Sequence, residues 1–130
     1  MKITIVSKLK KPPSFCKDAI AEYQKRISRY ANLSFTTDLS PSLRNKKDCL
    51  ILQLCTGKKT PSSEEFSEEM EKYNREGISH LVFLTDKVHE DFACELNLSS
   101  FDISPELRTI LLLEQIYRAF RIQNNEPYHK

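Results

Sequence analysis

The chain has 130 residues, 39% hydrophobic and 29% charged, with only 2 glycines. A single domain spanning 1–130 is expected at this length. Ordinary composition would supply about nine glycines, so the shortfall argues against phosphate loops of the G-x-G-x-x-G or G-x-x-x-x-G-K-[ST] type. The net charge of +2 is unevenly spread: 13 Lys/Arg face 4 Asp/Glu in residues 1–59, 3 face 12 in residues 60–106, and 4 face 2 beyond that. A basic face that tracks phosphates is one reading of this split, and solvated helix faces that balance each other are the other. If RNA is the partner, Lys8, Lys10, Lys11, Lys25, Arg26 and Arg29, or the basic C-terminal end, should meet it. No apolar run reaches the ~18 residues of a membrane span. The basic start Met1 to Lys11 lacks the apolar block of a signal peptide. A soluble, cytosolic domain with no membrane partner is expected.

In chain order, Lys2-Ile3-Thr4-Ile5-Val6 alternates and is β-branched, which predicts a strand. Pro12-Pro13-Ser14 marks a helix entry. Phe15, Cys16, Ala19, Ile20, Tyr23, Ile27 and Tyr30 then recur at helical spacing over about four turns. Leu33 to Thr37 reads as a second strand and Pro41 to Asp48 as a polar connection. Cys49 to Cys55 is almost wholly apolar, as in a strand of a parallel sheet covered on both faces. Ser62-Ser63-Glu64-Glu65 fits a capping box, Phe66, Met70 and Tyr73 follow as an apolar stripe, and Gly77 sits where a left-handed C-cap belongs. His80 to Thr85 predicts another buried strand.

Ser104-Pro105-Glu106 starts the last helix, which runs to about Ile122. Its consecutive Ile110-Leu111-Leu112-Leu113 makes it apolar nearly all round, so it should be buried by its own fold or by a second subunit. Strands alternating with helices give an α/β fold with a mainly parallel sheet. Cys16, Cys49, Cys55 and Cys94 form no C-x-x-C pair and read as buried small hydrophobes in a reducing compartment. His80, His89 and His129 lack ligand spacing, so no metal site is expected.

Leu112-Leu113-Glu114-Gln115-Ile116-Tyr117-Arg118-Ala119-Phe120-Arg121-Ile122, followed by Pro127-Tyr128-His129-Lys130, matches the pattern L-x-E-Q-[IV]-Y-R-A-[FW]-x-I … P-Y-H-[KR]. Met1-Lys2-Ile3, then Glu22-Tyr23-x-Lys25-Arg26-Ile27 and Tyr30, match an opening that goes with it, and Gly57-Lys58 with Ser62 to Phe66 matches a middle segment. In these strings the chain resembles the SPOUT-class methyltransferases that modify pseudouridine in bacterial 23S rRNA, over nearly its whole length.

The resemblance implies a parallel α/β sheet whose C-terminal segment forms a trefoil knot, and a homodimer holding S-adenosylmethionine in that knot. It implies action on the 70S ribosome, with N3-methylpseudouridine in 23S rRNA as product. It assigns Arg118, Tyr128 and His129 to catalysis, and Leu54, Leu84, Ser99, Ser100, Phe101, Asp102, Ile103 and Ser104 to the cofactor. Lys25, Arg26, Arg29, Arg121 and Lys130 go to RNA.

Three segments differ from the family pattern. The loop written I-G-G-x-x-G in the family corresponds to Val82 to Val88, which has no glycine. The aspartate of L-D-x-x-G-K is missing from Gln53 to Lys58. In Leu98 to Pro105 the serines of S-L-S-x-M-T-F-P-H persist while its threonine and histidine do not. The arginine expected five residues before Glu114-Gln115 falls on Thr109, beside Arg108. A catalytically silent homologue that keeps dimerisation and ribosome binding is the alternative reading.

Overall fold

A computed structural model describes residues 1–8, 13–86 and 94–127 of the chain. The described elements are β1 (Lys2–Val6), α1 (Ser14–Ile27), β2 (Asn32–Thr36), a short 3-10 helix (Pro41–Asn45), β3 (Cys49–Thr56), α2 (Ser63–Arg75), β4 (His80–Leu84), β5 (Cys94–Ser99) and α3 (Pro105–Gln123). The strands form one sheet in the order β2-β1-β4-β3-β5, and every neighbouring pair is parallel. The expected α/β class and parallel sheet are therefore present.

Alternation along the strands sends side chains to two faces. Ile3, Ile5, Leu52, Leu54, Leu81 and Phe83 join the main core with residues of all three helices. Val6, Ile51, Val82 and Leu84 form a smaller cluster on the other face, covered by Leu39 and Leu43 from the segment around the 3-10 helix. A parallel sheet needs both faces covered, and the near-continuous apolar runs of β3 and β4 reflect that. α3 packs against both α1 and α2, which do not touch each other. Its Leu112, Leu113, Ile116 and Ala119 are fully buried, as its all-round apolar sequence predicts.

The helix ends form where the sequence places them. Ser62 Oγ accepts from Glu65 N–H (3.1 Å), and the Glu65 carboxylate accepts from Ser62 N–H (2.9 Å), closing the capping box. Gly77 follows α2 with φ of 91°, the left-handed conformation only glycine adopts cheaply. Ser104 caps α3 by accepting from Leu107 N–H (3.4 Å).

Three expectations need correction. β5 is a strand that the residue pattern does not predict over Cys94–Ser99. Phe15, placed on the buried stripe of α1, is 76% exposed because it lies in the first turn, at the rim of the α1–α3 contact. Of the cysteines only Cys16 is buried, and Cys94 is exposed because it opens an edge strand.

On the second face, His80 Nε2 lies 2.8 Å from Thr4 Oγ1, which lies 3.2 Å from Ser34 Oγ. Burial first, then the charges of Lys2 and Lys46, hold the His80 imidazole below its ordinary pKa of 6.5. With the folded pKa depressed, folded and unfolded states are both neutral at high pH. As pH falls through 6.5 the unfolded chain takes up the proton first, and stability drops. The urea midpoint should therefore be level above about pH 7 and decline below it, with the His80→Gln variant lacking His80's share of the slope. An unchanged slope in that variant would refute this assignment.

Ser62→Ala should cost about 1 kcal/mol in urea unfolding at neutral pH. The backbone and hydroxyl of Ser62 hold the Glu65 carboxyl below its usual range. The carboxylate's share of the box is present above the unfolded pKa and is lost as pH falls through the folded one. The gap between wild type and variant should accordingly narrow in acid.

Candidate active site

The carboxyl ends of β4, β3 and β5 lie side by side, with Gln53 opposite Leu84 and Thr56 opposite Ser99. The segments assigned to the cofactor thus meet at one edge of the sheet. Leu54 and Leu84 are both buried, but in opposite clusters, Leu54 toward the helices and Leu84 toward the second face. Their backbones are what converge. Gln53 Nε2 donates to the carbonyls of Leu54 (3.1 Å), Leu84 (3.1 Å) and Asp86 (2.6 Å), tying β3 to the exit of β4. Thr85, where the family pattern has bare glycine backbone, is fully buried, and its hydroxyl donates to Val6 O at 2.9 Å. Composition flagged neither Gln53 nor Thr85 as part of this edge; the missing glycines were the only signal.

Beyond β5, Ser99 Oγ accepts from Phe101 N–H (3.0 Å) and shapes the turn. Ser100, Phe101, Asp102 and Ser104 are exposed and Ile103 is half-buried. Phe101 is 78% exposed, a large apolar ring facing water at the sheet edge. Gly57 N–H donates to Ser99 O (3.1 Å), extending the β3–β5 ladder. A Cβ at Gly57 would come within 2.5 Å of the Asn97 amide, so this glycine makes room for Asn97. In the first turn of α3, the Arg108 Nε is buried with no hydrogen-bond partner among the described residues. The position expected to carry arginine, Thr109, is buried, with its hydroxyl bonded to Pro105 O (3.0 Å).

The donor set of the β5–α3 loop fits S-adenosylmethionine in kind. Phe101 and Ile103 offer apolar surface, the serines offer hydroxyls, Asp102 is an anion, and Arg108 has an unspent N–H. The exit of β4 offers less, because Gln53 already occupies the Leu84 and Asp86 carbonyls. Among the described residues no group of three or more His, Cys, Asp or Glu is arranged to hold a metal ion.

The remaining assigned residues lie at the other end of α3. Arg118 is partly exposed and paired with Glu114 at 3.3 Å. Arg121, which the resemblance assigned to RNA, is 6% exposed. Its Nη1 donates to Glu126 Oε2 (2.9 Å) and Tyr30 Oη (3.2 Å), and its Nε to Pro127 O (2.9 Å). Tyr30 Oη donates to Glu126 Oε1 at 2.8 Å and stacks on Phe120. The guanidinium is thus spent on holding the turn after α3, in which Asn125 takes a φ of 53°. The Tyr30 contact leads the effects that raise the Arg121 pKa.

Lys25 and Arg29 are exposed near the end of α1, and the half-buried Arg26 lies over Tyr23 (5.9 Å) and Tyr117 (5.7 Å) while pairing with Glu22 (3.0 Å). They share this end of the molecule with Tyr30 and so with the clamped turn. Tyr128, His129 and Lys130 lie outside the described residues, as do Lys10, Lys11 and His89.

α3 has 19 residues and is therefore about 28 Å long. It runs from the carboxyl edge of the sheet to the amino edge, where Phe120 and Gln123 share a cavity wall with Met1 and Tyr30. Pro127, the last described residue before the assigned catalytic positions, and the assigned Ser99–Ser104 loop thus follow and precede opposite ends of α3.

A model of the predicted SPOUT methyltransferase family matches residues 36–129. The chain is 35% identical, over an alignment of 159 residues covering all of both proteins, to ribosomal RNA large subunit methyltransferase H of Clostridium botulinum (strain Alaska E43 / Type E3). It is 33% identical over 160 residues, again covering both completely, to the protein of that name from Streptococcus pneumoniae (strain CGSP14). To ribosomal RNA large subunit methyltransferase H 1 of Thermoanaerobacter sp. (strain X514) it is 33% identical over 119 residues, 89% of this chain and 90% of that one. With the parallel sheet, these matches show that the chain belongs to the SPOUT methyltransferase family.

Proposed function

We propose that this chain methylates N3 of a pseudouridine in 23S rRNA of the 70S ribosome, using S-adenosylmethionine, as a homodimer. The observation that carries the reading is the meeting of the Leu54, Leu84 and Ser99–Ser104 segments at the carboxyl ends of three adjacent strands, in a family whose full-length relatives are named for rRNA methylation. When bound, the cofactor supplies an electrophilic methyl group on a sulfonium. The chain's task is then alignment and proton management. Asp102 would favour the sulfonium, Arg108 the cofactor's carboxylate, and Phe101 with Ile103 its ring.

Removing the N3 proton is easier in a positive field, which Arg118, His129 and Lys130 would provide. Lys25, Arg26 and Arg29 would take phosphates and Tyr128 would stack on an unpaired base. We also infer a knotted C-terminal segment: β3 lies between β4 and β5 in the sheet, and α3 packs on both α1 and α2.

The placement of the two assigned segments at opposite ends of α3 supports the homodimer, in which the tail that acts with a cofactor loop comes from a second copy. Mixing a Tyr128→Ala/His129→Ala variant with an Asp102→Ala/Arg108→Ala variant should restore methyl transfer that neither shows alone, because a mixed dimer then holds one intact site. No recovery after subunit exchange would exclude a shared site.

The same Gln53 and Thr85 contacts favour a second reading, a homologue that binds ribosomes without the cofactor. Calorimetric titration with S-adenosylmethionine, then transfer of labelled methyl to ribosomes carrying the unmethylated pseudouridine, separates the two. The enzyme gives saturable heat and turnover, with His129→Ala slowing turnover by ~10²-fold or more. Ribosome binding with no heat at millimolar cofactor selects the silent homologue.

A further inference from the structure

The chain leaves β1 toward β2 and leaves β4 toward β5, in opposite directions from two neighbouring strands. Crevices outside the carboxyl ends of such a divergent pair are where open α/β sheets bind ligands. A cavity of about 220 Å³ lies there, floored by Val6 and Leu84 and edged by Asp38, Asp86, Lys8 and Arg44. Of these only Leu84 was assigned to the cofactor, and the cavity opens between the exits of β1 and β4. It is smaller than the ~300–1,000 Å³ clefts that enclose drug-sized ligands, a size for one ring and its sugar. An apolar floor, two cations and two carboxylates are what a single nucleotide needs: a surface under the base, charge for its phosphate, and acceptors for its ring N–H groups.

Asp86 is held from two sides. Its carboxylate accepts from Lys8 N–H at 2.7 Å, and its own carbonyl accepts from Gln53 at 2.6 Å. The carboxylate therefore bridges the exits of β1 and β4 at the cavity rim and keeps lone pairs for a ligand.

We propose that this cavity receives the target nucleotide, with Asp86 accepting a hydrogen bond from N1–H of the pseudouridine ring and Lys8 and Arg44 meeting its phosphate. This rests on the methylation reading above. Pseudouridine is joined to its sugar through carbon, so N1 carries a proton; in uridine N1 carries the sugar. Asp86 is then the residue that distinguishes the two isomers, while N3, on the next ring edge but one, stays available for the methyl group.

The test is an NMR titration of the full-length protein with pseudouridine 5′-monophosphate and uridine 5′-monophosphate, followed on backbone amides. Saturable shifts should centre on Val6, Lys8, Leu84 and Asp86, with the pseudouridine nucleotide bound ~10-fold more tightly, as expected for one hydrogen bond to a charged acceptor. Asp86→Ala should remove the preference, and Arg44→Ala should weaken both nucleotides alike. Asp86→Asn, which keeps the side chain's shape, serves if the alanine variant does not fold, and it too should narrow the preference. Equal binding of the two nucleotides by the wild type, or a preference that survives in the Asp86 variants, overturns the proposal. Methyl transfer to ribosomes without nucleotide preference leaves the methylation reading intact and removes the Asp86 assignment. A clear preference in a protein that transfers no methyl group does the reverse.

Discussion

Because Leu112, Leu113, Ile116 and Ala119 are withdrawn from water between α1 and α2, α3 cannot slide or turn without opening the main core. At roughly 1.5–3 kcal/mol for each large apolar side chain buried, these contacts outweigh what any single surface pair supplies. Two of the assigned segments are attached to the ends of this helix. The Ser99–Ser104 loop enters its capped N-terminus, and the clamped turn leaves its C-terminus. One buried helix therefore fixes how far apart the two halves of the site stand in a single chain.

The two ends are built on different principles. At the carboxyl edge the contacts are between strands: Gln53 collects three carbonyls and Thr85 anchors β4 to β1. Thr85 stands in the segment that is glycine-rich in the family, and Gln53 occupies the carbonyls of Leu84 and Asp86 in that segment, so the edge gains internal hydrogen bonds and loses ligand-facing acceptors. At the amino edge the contacts link helix to helix, with the buried Arg121 joining Tyr30 after α1 to Glu126 and Pro127 after α3. A buried guanidinium costs solvation unless its donors are used. The directions it finds, two acidic or phenolic partners and a backbone carbonyl, account for why an arginine is tolerated there.

Much of the fold could be read directly from residue pattern. β1, β3 and β4 carry enough β-branched and apolar residues to be recognised, and Ser62, Gly77 and Ser104 mark helix ends by chemistry that depends only on local backbone. β5 escaped because an edge strand covered on one face needs few apolar residues: Leu96 and Leu98 are its only large ones, and Cys94 and Glu95 face water. The burial of Arg121 was illegible for a related reason. A charged residue on a helix is ordinarily solvated, and its burial depends on Glu126, which reaches it only because the chain turns back at Asn125. The cofactor segments came from resemblance to a family, since nothing in periodicity alone singles out an exposed loop. Gln53 and Asp86 became visible only once the strand order placed β3 and β1 on either side of β4.

The charge split along the sequence acquires a direction in the folded chain. α2 exposes Glu64, Glu65, Glu68 and Glu69 on one flank of α3, whereas the end of α1 and the turn after it expose Lys25 and Arg29 on the other. Phosphates approaching the α2 flank meet like charge, and those approaching α1 meet cations within reach of the clamped turn. The sequence-level choice between solvated faces that balance and a basic face that tracks phosphates is thus not exclusive: the acidic helix balances the net charge and also biases which side an RNA meets.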